Sequence, residues 1–255
     1  MAVKLFTRDA LGNWIIIKRL MYIVIGSIAQ FRFKGINNTR LSGTEVIRQL
    51  PKKNVLFVSN HQTYFSEVIL MILTFSSALN GFTKRLGPLY HLLNANYRVY
   101  FIAAQETMKA TFLSKVLNYA GGIKVQRTWR SNGESVQRKF NPSDAGKIGE
   151  ALKDGWVITF PQGTTTPFAP GRKGTAHLIK KYKPIVVPIV IDGFRRAFDK
   201  KGVLLKKKGV DLKMTIKPPM NINYDDDIEV ILAHVMHAIE QSEEYYPEKL
   251  KNPVP

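Results

Sequence analysis

The chain has 255 residues, 45% of them apolar, enough for one large domain with a sizeable core; it has no cysteine, which excludes disulfides, Cys-ligated metal sites and covalent thiol catalysis. Its 38 Lys and Arg against 19 Asp and Glu leave a formal charge of +19. That surplus concerns binding and encounter rather than fold, and it calls for an anionic partner: nucleic acid, an anionic bilayer, or a substrate or carrier rich in phosphate or carboxylate.

The N-terminus lacks the basic region, apolar run and small-residue cleavage site of a signal peptide, so it is expected to stay on the mature protein. Trp14 to Phe33 reads as a helix that is apolar in bulk but interrupted by Lys18 and Arg19, leaving only Leu20 to Phe31 clear of charge. Those 12 residues reach about 18 Å as a helix, short of a hydrocarbon core of about 30 Å. Two readings stay open. One is an interfacial helix with Trp14, Ile17, Met21, Val24, Ile25 and Ile28 towards lipid and Lys18 and Arg19 towards phosphates; the other is an ordinary amphipathic helix covering the core.

A Gly- and Asn-containing link, Gly35 to Gly43, follows, and then strands and helices alternate. Val55–Ser59, Val99–Ala104, Gly122–Gln126, Trp156–Pro161, Ile185–Ile191 and Leu212–Lys217 are rich in Val, Ile and Phe and bounded by Gly, Pro or Asn, as strands are. Helices are expected at Ser66–Leu79, Met108–Ala120, Ser143–Lys153 with Ser143 as N-cap, Gly174–Tyr182, and in one long run from Asp226 to Tyr245. This order argues for an α/β fold with a largely parallel central sheet flanked by helices, preceded by the N-terminal interfacial helical segment. Pro184 and Pro188 place an edge or end of their strand at the sheet margin. Lys200 to Lys208 reads as a basic loop, and the last ten residues as a polar tail.

Three segments carry chemistry. Strand Val55–Ser59 runs directly into Asn60-His61 and an apolar helix. Ligands collect at the carboxyl ends of strands in such sheets, and histidine is the usual side chain for proton transfer near neutral pH. Considered alone, His61 is also read as an ordinary loop histidine. Phe160-Pro161-Gln162-Gly163-Thr164-Thr165-Thr166 ends another strand, and Gly171-Arg172-Lys173-Gly174 precedes a helix, together an anion-binding loop or a plain turn. Gly121 to Arg127 closes a short strand with an Arg able to meet phosphate or carboxylate.

The order of these segments, Asn60-His61, then Gly122-Ile123 to Arg127, then Phe160-Pro161-Gln162-Gly163-Thr164, then the strand Ile185–Ile191, resembles the four-block pattern of the lysophospholipid and glycerolipid acyltransferase family, which includes the 1-acylglycerol-3-phosphate acyltransferases. The resemblance runs from about residue 50 to 195. It implies that His61 is a general base, taking a proton from an acceptor hydroxyl that attacks a thioester carbonyl directly, with a nearby carboxylate holding the imidazole. The family's carboxylate is an Asp five positions after the His, where this chain has Ser66, and Glu67 is the next residue. One helical residue swings a side chain by about 100° and moves it about 1.5 Å, so the loop leading into the helix must differ if Glu67 is the partner. Glu67 is favoured over Ser66 because an imidazolium gains more from an ionised acceptor.

The third block departs as well, with Gln162 and Thr165 where the family has Glu and Arg near the acceptor headgroup. Either Arg127, Arg172 or Lys173 supplies the missing charge for lysophosphatidic acid, or the headgroup differs, as in a lyso-aminolipid. The resemblance thus implies His61 and Glu67 as catalytic, and Asn60, Ser66, Arg127, Gln162, Gly163, Thr164, Thr165, Arg172 and Lys173 as substrate-binding. Backbone donors beside Gly163 and at the helix start after His61 would steady an oxyanion. Val68 to Leu73 either lines an acyl channel or is core. No metal and no tightly bound cofactor is expected; the donor is acyl-CoA or acyl-ACP, and the partners are anionic membrane lipid, a lysolipid acceptor and acyl carrier protein. Residues 1–40 are then a membrane-associating helical segment and 41–255 the acyltransferase domain, peripheral or monotopic on the cytoplasmic face. The rival readings are a non-catalytic lipid-binding relative and a nucleic-acid-binding protein, the latter resting on clusters such as Arg127 to Arg130 and Phe194 to Phe198 without a recognisable motif.

Overall fold

The computed structural model describes residues 6–106, 112–126, 130–131, 134–135 and 142–247. In chain order these are α1 (Ile15–Gln30) with a π-helical turn at Phe31–Ile36, β1 (Asn38–Ser42), the short α2 (Val46–Gln49), β2 (Val55–Ser59) and α3 (Ser66–Leu79). A 3₁₀ turn (Leu89–Asn94), β3 (Val99–Ala104), α4 (Phe112–Tyr119), β4 (Gly122–Val125) and a two-residue antiparallel ladder of β5 (Arg130–Ser131) and β6 (Glu134–Ser135) follow. The chain continues through α5 (Pro142–Asp154), β7 (Trp156–Thr159), α6 (Lys173–Tyr182), β8 (Ile185–Asp192), the short α7 (Phe194–Ala197), β9 (Asp211–Ile216) and α8 (Ile228–Ala238).

The main sheet has seven strands in the order β1-β9-β8-β2-β7-β3-β4. β8, β2, β7, β3 and β4 run parallel, while β9 meets β8 antiparallel and β1 lies parallel to β9. β2 occupies the centre, and all five of its residues are buried, as the unbroken apolar run of a strand covered on both faces requires. Its side chains alternate between two cores. Val55 and Phe57 pack with α3, Phe57 stacking on Phe75 at 4.4 Å and meeting Trp156 edge-on, whereas Leu56 and Val58 join Ile148, Leu178 and Val235 from α5, α6 and α8.

Several elements differ from the sequence reading. The Gly35 to Gly43 link contains β1, an edge strand in which only Leu41 is buried. Helix α5 begins at Pro142, so Ser143 lies in its first turn rather than capping it. Of the helix expected over Met108–Ala120, Phe112–Tyr119 is described, and 107–111 lie outside the described residues. β8 is interior, yet its proline-containing half lies beyond the β9 ladder, which starts at Ile189; there Pro188 and Val186 accept from Lys217 and Met220 of an irregular segment. The long last helix stops at Ala238. Glu240 takes a left-handed φ of 58°, and Gln241 N–H reaches back to the Met236 carbonyl at 2.9 Å, a Schellman-type ending.

Helix α1 packs against α3 and the 3₁₀ turn. Lys18 does not face phosphates: it is fully buried, 3.0 Å from the Asp9 carboxylate and 4.5 Å over the Tyr100 ring. It shares the inward stripe of Ile15, Tyr22, Gly26 and Ala29, and Asp9 supplies the counter-charge that such burial demands. The outward stripe is apolar: Trp14, Ile17, Leu20, Val24, Ile28 and Phe31 are exposed, while Met21 and Ile25 are half-buried. Among the described residues no helix is long and apolar enough to cross a membrane.

Candidate active site

The carboxyl ends of β2, β7, β3 and β4 open onto one cavity of about 290 Å³. His61 stands at its wall because β2 ends two residues earlier, with Asn60 fixing the turn between them. The Asn60 amide donates to the Ile191 carbonyl at 2.9 Å and accepts from the Ile191 N–H at 2.8 Å, clamping the end of β2 to β8. Asn60 was expected to touch substrate; both ends of its side chain engage β8 backbone instead. Gln62 adds a bond from Nε2 to the same carbonyl at 3.2 Å.

Glu67 enters at the second position of α3, with no exposed surface. Its Oε1 lies 3.8 Å from His61 Nδ1, beyond hydrogen-bond length but inside ion-pairing range once the ring is protonated. Three donors converge on the carboxylate: Gln62 N–H at 2.7 Å, Thr63 N–H, and the Thr63 hydroxyl at 2.6 Å. Burial nevertheless dominates and pushes the Glu67 carboxyl up to about 7, the hydrogen bonds offsetting only part of the desolvation. Ser66, at the family's usual acid position, is turned elsewhere and donates to the Gly202 carbonyl. The His61 ring stacks on Phe160 with centroids 3.9 Å apart and planes 21° from parallel. Phe160 thereby fixes the imidazole plane, a role that residue type and position did not suggest, although it belongs to the third sequence block.

The loop after β7 supplies much of the remaining lining, through Gly163, Thr164, Thr165 and Thr166, and Arg172, which precedes α6, and Thr175 in its first turn add to it. Burial lowers the pKa of Arg172, whose backbone N–H bonds the Pro161 carbonyl at 2.8 Å. Gln162 points away from the cavity. It is buried, and its amide donates to the Ala169 carbonyl at 2.9 Å and to Gln241 at 3.1 Å. Gln241, placed by the early end of α8, also accepts from Phe168 N–H at 2.9 Å, so that it ties Gln162 and Phe168 together. Gly163 N–H is bonded to the Phe160 carbonyl at 2.9 Å. Lys173 pairs with Glu229 on α8, outside the cavity, and Arg127 lies outside the described residues. Lys200, read from sequence only as part of a basic loop, also lines the cavity and lies 5.9 Å from the Tyr64 ring. Of Val68 to Leu73, Val68 alone lines the cavity; Leu70, Met71 and Leu73 are core.

The carboxyl edge of the parallel sheet thus presents a histidine beside a buried carboxylate, in a cavity lined by apolar side chains, hydroxyls and two cations, the arrangement of an α/β enzyme site. The family model named Acyltransferase matches residues 38–192, well over half of the chain, and the protein belongs to that family. It is therefore an acyltransferase, and its chemistry requires an acyl donor. The fold is similar to the crystal structure of the 1-acyl-sn-glycerophosphate (LPA) acyltransferase, PlsC, from Thermotoga maritima, with 17% identity, a TM-score of 0.50, and coverage of 88% of this chain and 81% of that one. No curated protein matches the chain.

Proposed function

We propose that the protein moves a fatty acyl chain from a thioester donor, acyl-CoA or acyl-ACP, to a hydroxyl of a lysolipid at a membrane surface. The observation that carries this reading is the His61–Glu67 pair in a cavity at the carboxyl edge of the sheet. His61 Nε2 takes the acceptor's proton as its oxygen attacks the thioester carbonyl. Collapse of the tetrahedral intermediate breaks the C–S bond, and the imidazolium returns the proton to the departing thiolate. Glu67 holds the ring through Nδ1 and stabilises its positive form. Phe160 keeps the ring plane fixed against rotation.

The acceptor we favour bears a phosphate, as lysophosphatidic acid does. Gln162 and Thr165 replace the family's acid and arginine, but Arg172 and Lys200 bring two cations to the lining. Tyr64, Phe65, Val68, Phe101 and Ile102 provide an apolar wall suited to an acyl chain. The exposed stripe on α1 and the charge of +19 support docking on an anionic leaflet, with residues 1–40 as the associating segment.

The test is transfer of labelled palmitoyl groups from CoA and from carrier protein to lysolipids with and without phosphate. His61→Ala and Glu67→Gln should each lose at least about 100-fold in kcat, as expected for removing an acid–base group or its partner, whereas Ser66→Ala should keep most of it. Preserved turnover in Glu67→Gln with loss in Ser66→Ala reverses the assignment of the acid. Absence of any His61-dependent transfer defeats the proposal, and transfer only to lysolipids lacking phosphate moves the acceptor to the aminolipid class.

A further inference from the structure

The turn Asp199–Leu204, between α7 and β9, is fastened directly to the residues that follow His61. Tyr64 N–H donates to the Lys200 carbonyl at 3.0 Å, and the Ser66 hydroxyl donates to the Gly202 carbonyl. Gly202 sits at a φ of +77°, so close that a Cβ built there would lie 2.6 Å from Thr63 Oγ1 and 2.7 Å from Ser66 Oγ. The turn is itself stiff. The Asp199 carboxylate accepts from Val203 N–H at 2.7 Å and Leu204 N–H at 2.9 Å, and Gly202 N–H bonds the Asp199 carbonyl at 2.9 Å. From outside, the Arg32 guanidinium donates to the Val203 carbonyl, tying the turn to the end of α1.

Thr63 stands between this turn and the catalytic pair. It has no exposed surface, its hydroxyl donates to one Glu67 oxygen at 2.6 Å, and its backbone N–H donates to the other. A β-branched side chain has few rotamers, and the Gly202 backbone packed behind it leaves little room for another. A continuous chain of contacts therefore runs from the turn through Thr63 and Glu67 to His61.

We propose that Thr63 is a positioning residue for the Glu67 carboxylate, and that the Asp199–Leu204 turn is the strap that presses it there. Ser66, the neighbour of Glu67 on α3, is one of the strap's fastening points through its bond to the Gly202 carbonyl. This rests on the reading of His61 and Glu67 as a working pair. The groups facing the Glu67 carboxylate are His61, the backbone N–H groups of Gln62, Thr63 and Glu67 itself, and the Thr63 hydroxyl. On the strap, Asp199 is engaged with its own turn and Lys200 lies along Tyr64 in the cavity lining.

The readout needs no substrate. Carbon-13 NMR of glutamate-labelled protein follows the Glu67 carboxyl through a pH titration, with Glu67→Gln identifying the signal and a thermal melt confirming that each variant is folded. Thr63→Val removes a hydrogen bond that favours the ionised form and should raise the Glu67 midpoint by about one pH unit. Thr63→Ser, which restores the hydroxyl, should return it to the wild-type value. Asp199→Ala, which loosens the strap from the surface side, should shift it in the same direction by a smaller amount. An unmoved midpoint in folded Thr63→Val overturns the proposal, and should that variant not fold, an unmoved midpoint in Asp199→Ala does so. If the midpoint ignores His61→Ala, it is the pair itself that fails.

Discussion

Burial pushes the Glu67 carboxyl up to about 7 although donors from Gln62 and Thr63 converge on it. The linkage has a definite sign. A carboxyl whose folded pKa stands above its unfolded one favours folding below about pH 4.5 and loses that advantage as pH rises through about 7. Relative to Glu67→Gln, the wild type should therefore lose about 3 kcal/mol of stability between pH 4.5 and 8, read by urea denaturation at both ends. A flat difference would mean that the carboxyl is not raised. At this scale the sequence supplied chemical type but not direction. Glu67 lies 3.8 Å from His61 in spite of a spacing one residue longer than the usual one, whereas Asn60, Gln162 and Lys173 carry suitable groups that turn to partners far along the chain. Nothing local to Gln162 announces Gln241.

Among the elements, α3 and β2 match their sequence boundaries because each carries an uninterrupted apolar stretch, Val68 to Leu73 and Val55 to Val58, bounded by polar residues. β1 went unseen since an edge strand with one buried residue has no such signal, and α8 ends early through a backbone turn at Glu240, a residue type that seldom adopts positive φ. Helix α1 was legible as a helix but not in the burial of Lys18, because the pairing acid, Asp9, lies outside the helix in an irregular segment. Burial lowers the Lys18 pKa, with Asp9 opposing that fall. Lys18→Met leaves Asp9 buried without its cation and should cost about 3–5 kcal/mol in urea unfolding; replacing Asp9 with Asn in the same chain should recover part of the loss. An unchanged midpoint in the single variant would show that the pair is not fastening α1 to the sheet.

For the molecule as a whole, charge and exposed apolar surface act together at an anionic interface, and salt separates them. Co-sedimentation with vesicles rich in anionic lipid should fall several-fold between 50 and 500 mM NaCl as charge is screened. The fraction that survives high salt should disappear in Val24→Asp/Ile28→Asp, whose sites are exposed and should leave the melting point nearly unchanged. Equal binding to neutral vesicles at all salt concentrations would remove charge from the account. The sequence by itself determined the α/β class, the strand and helix alternation and the histidine at a strand end, because periodicity and residue chemistry are local and survive without a fold. Only the tertiary structure decided which cations line the cavity, that Lys18 turns inward, and that a distant turn stands behind Thr63. Each of those depends on contacts between segments far apart in the chain, for Lys18 the Tyr100 ring it lies over as well as the nearby Asp9, and no local pattern encodes them.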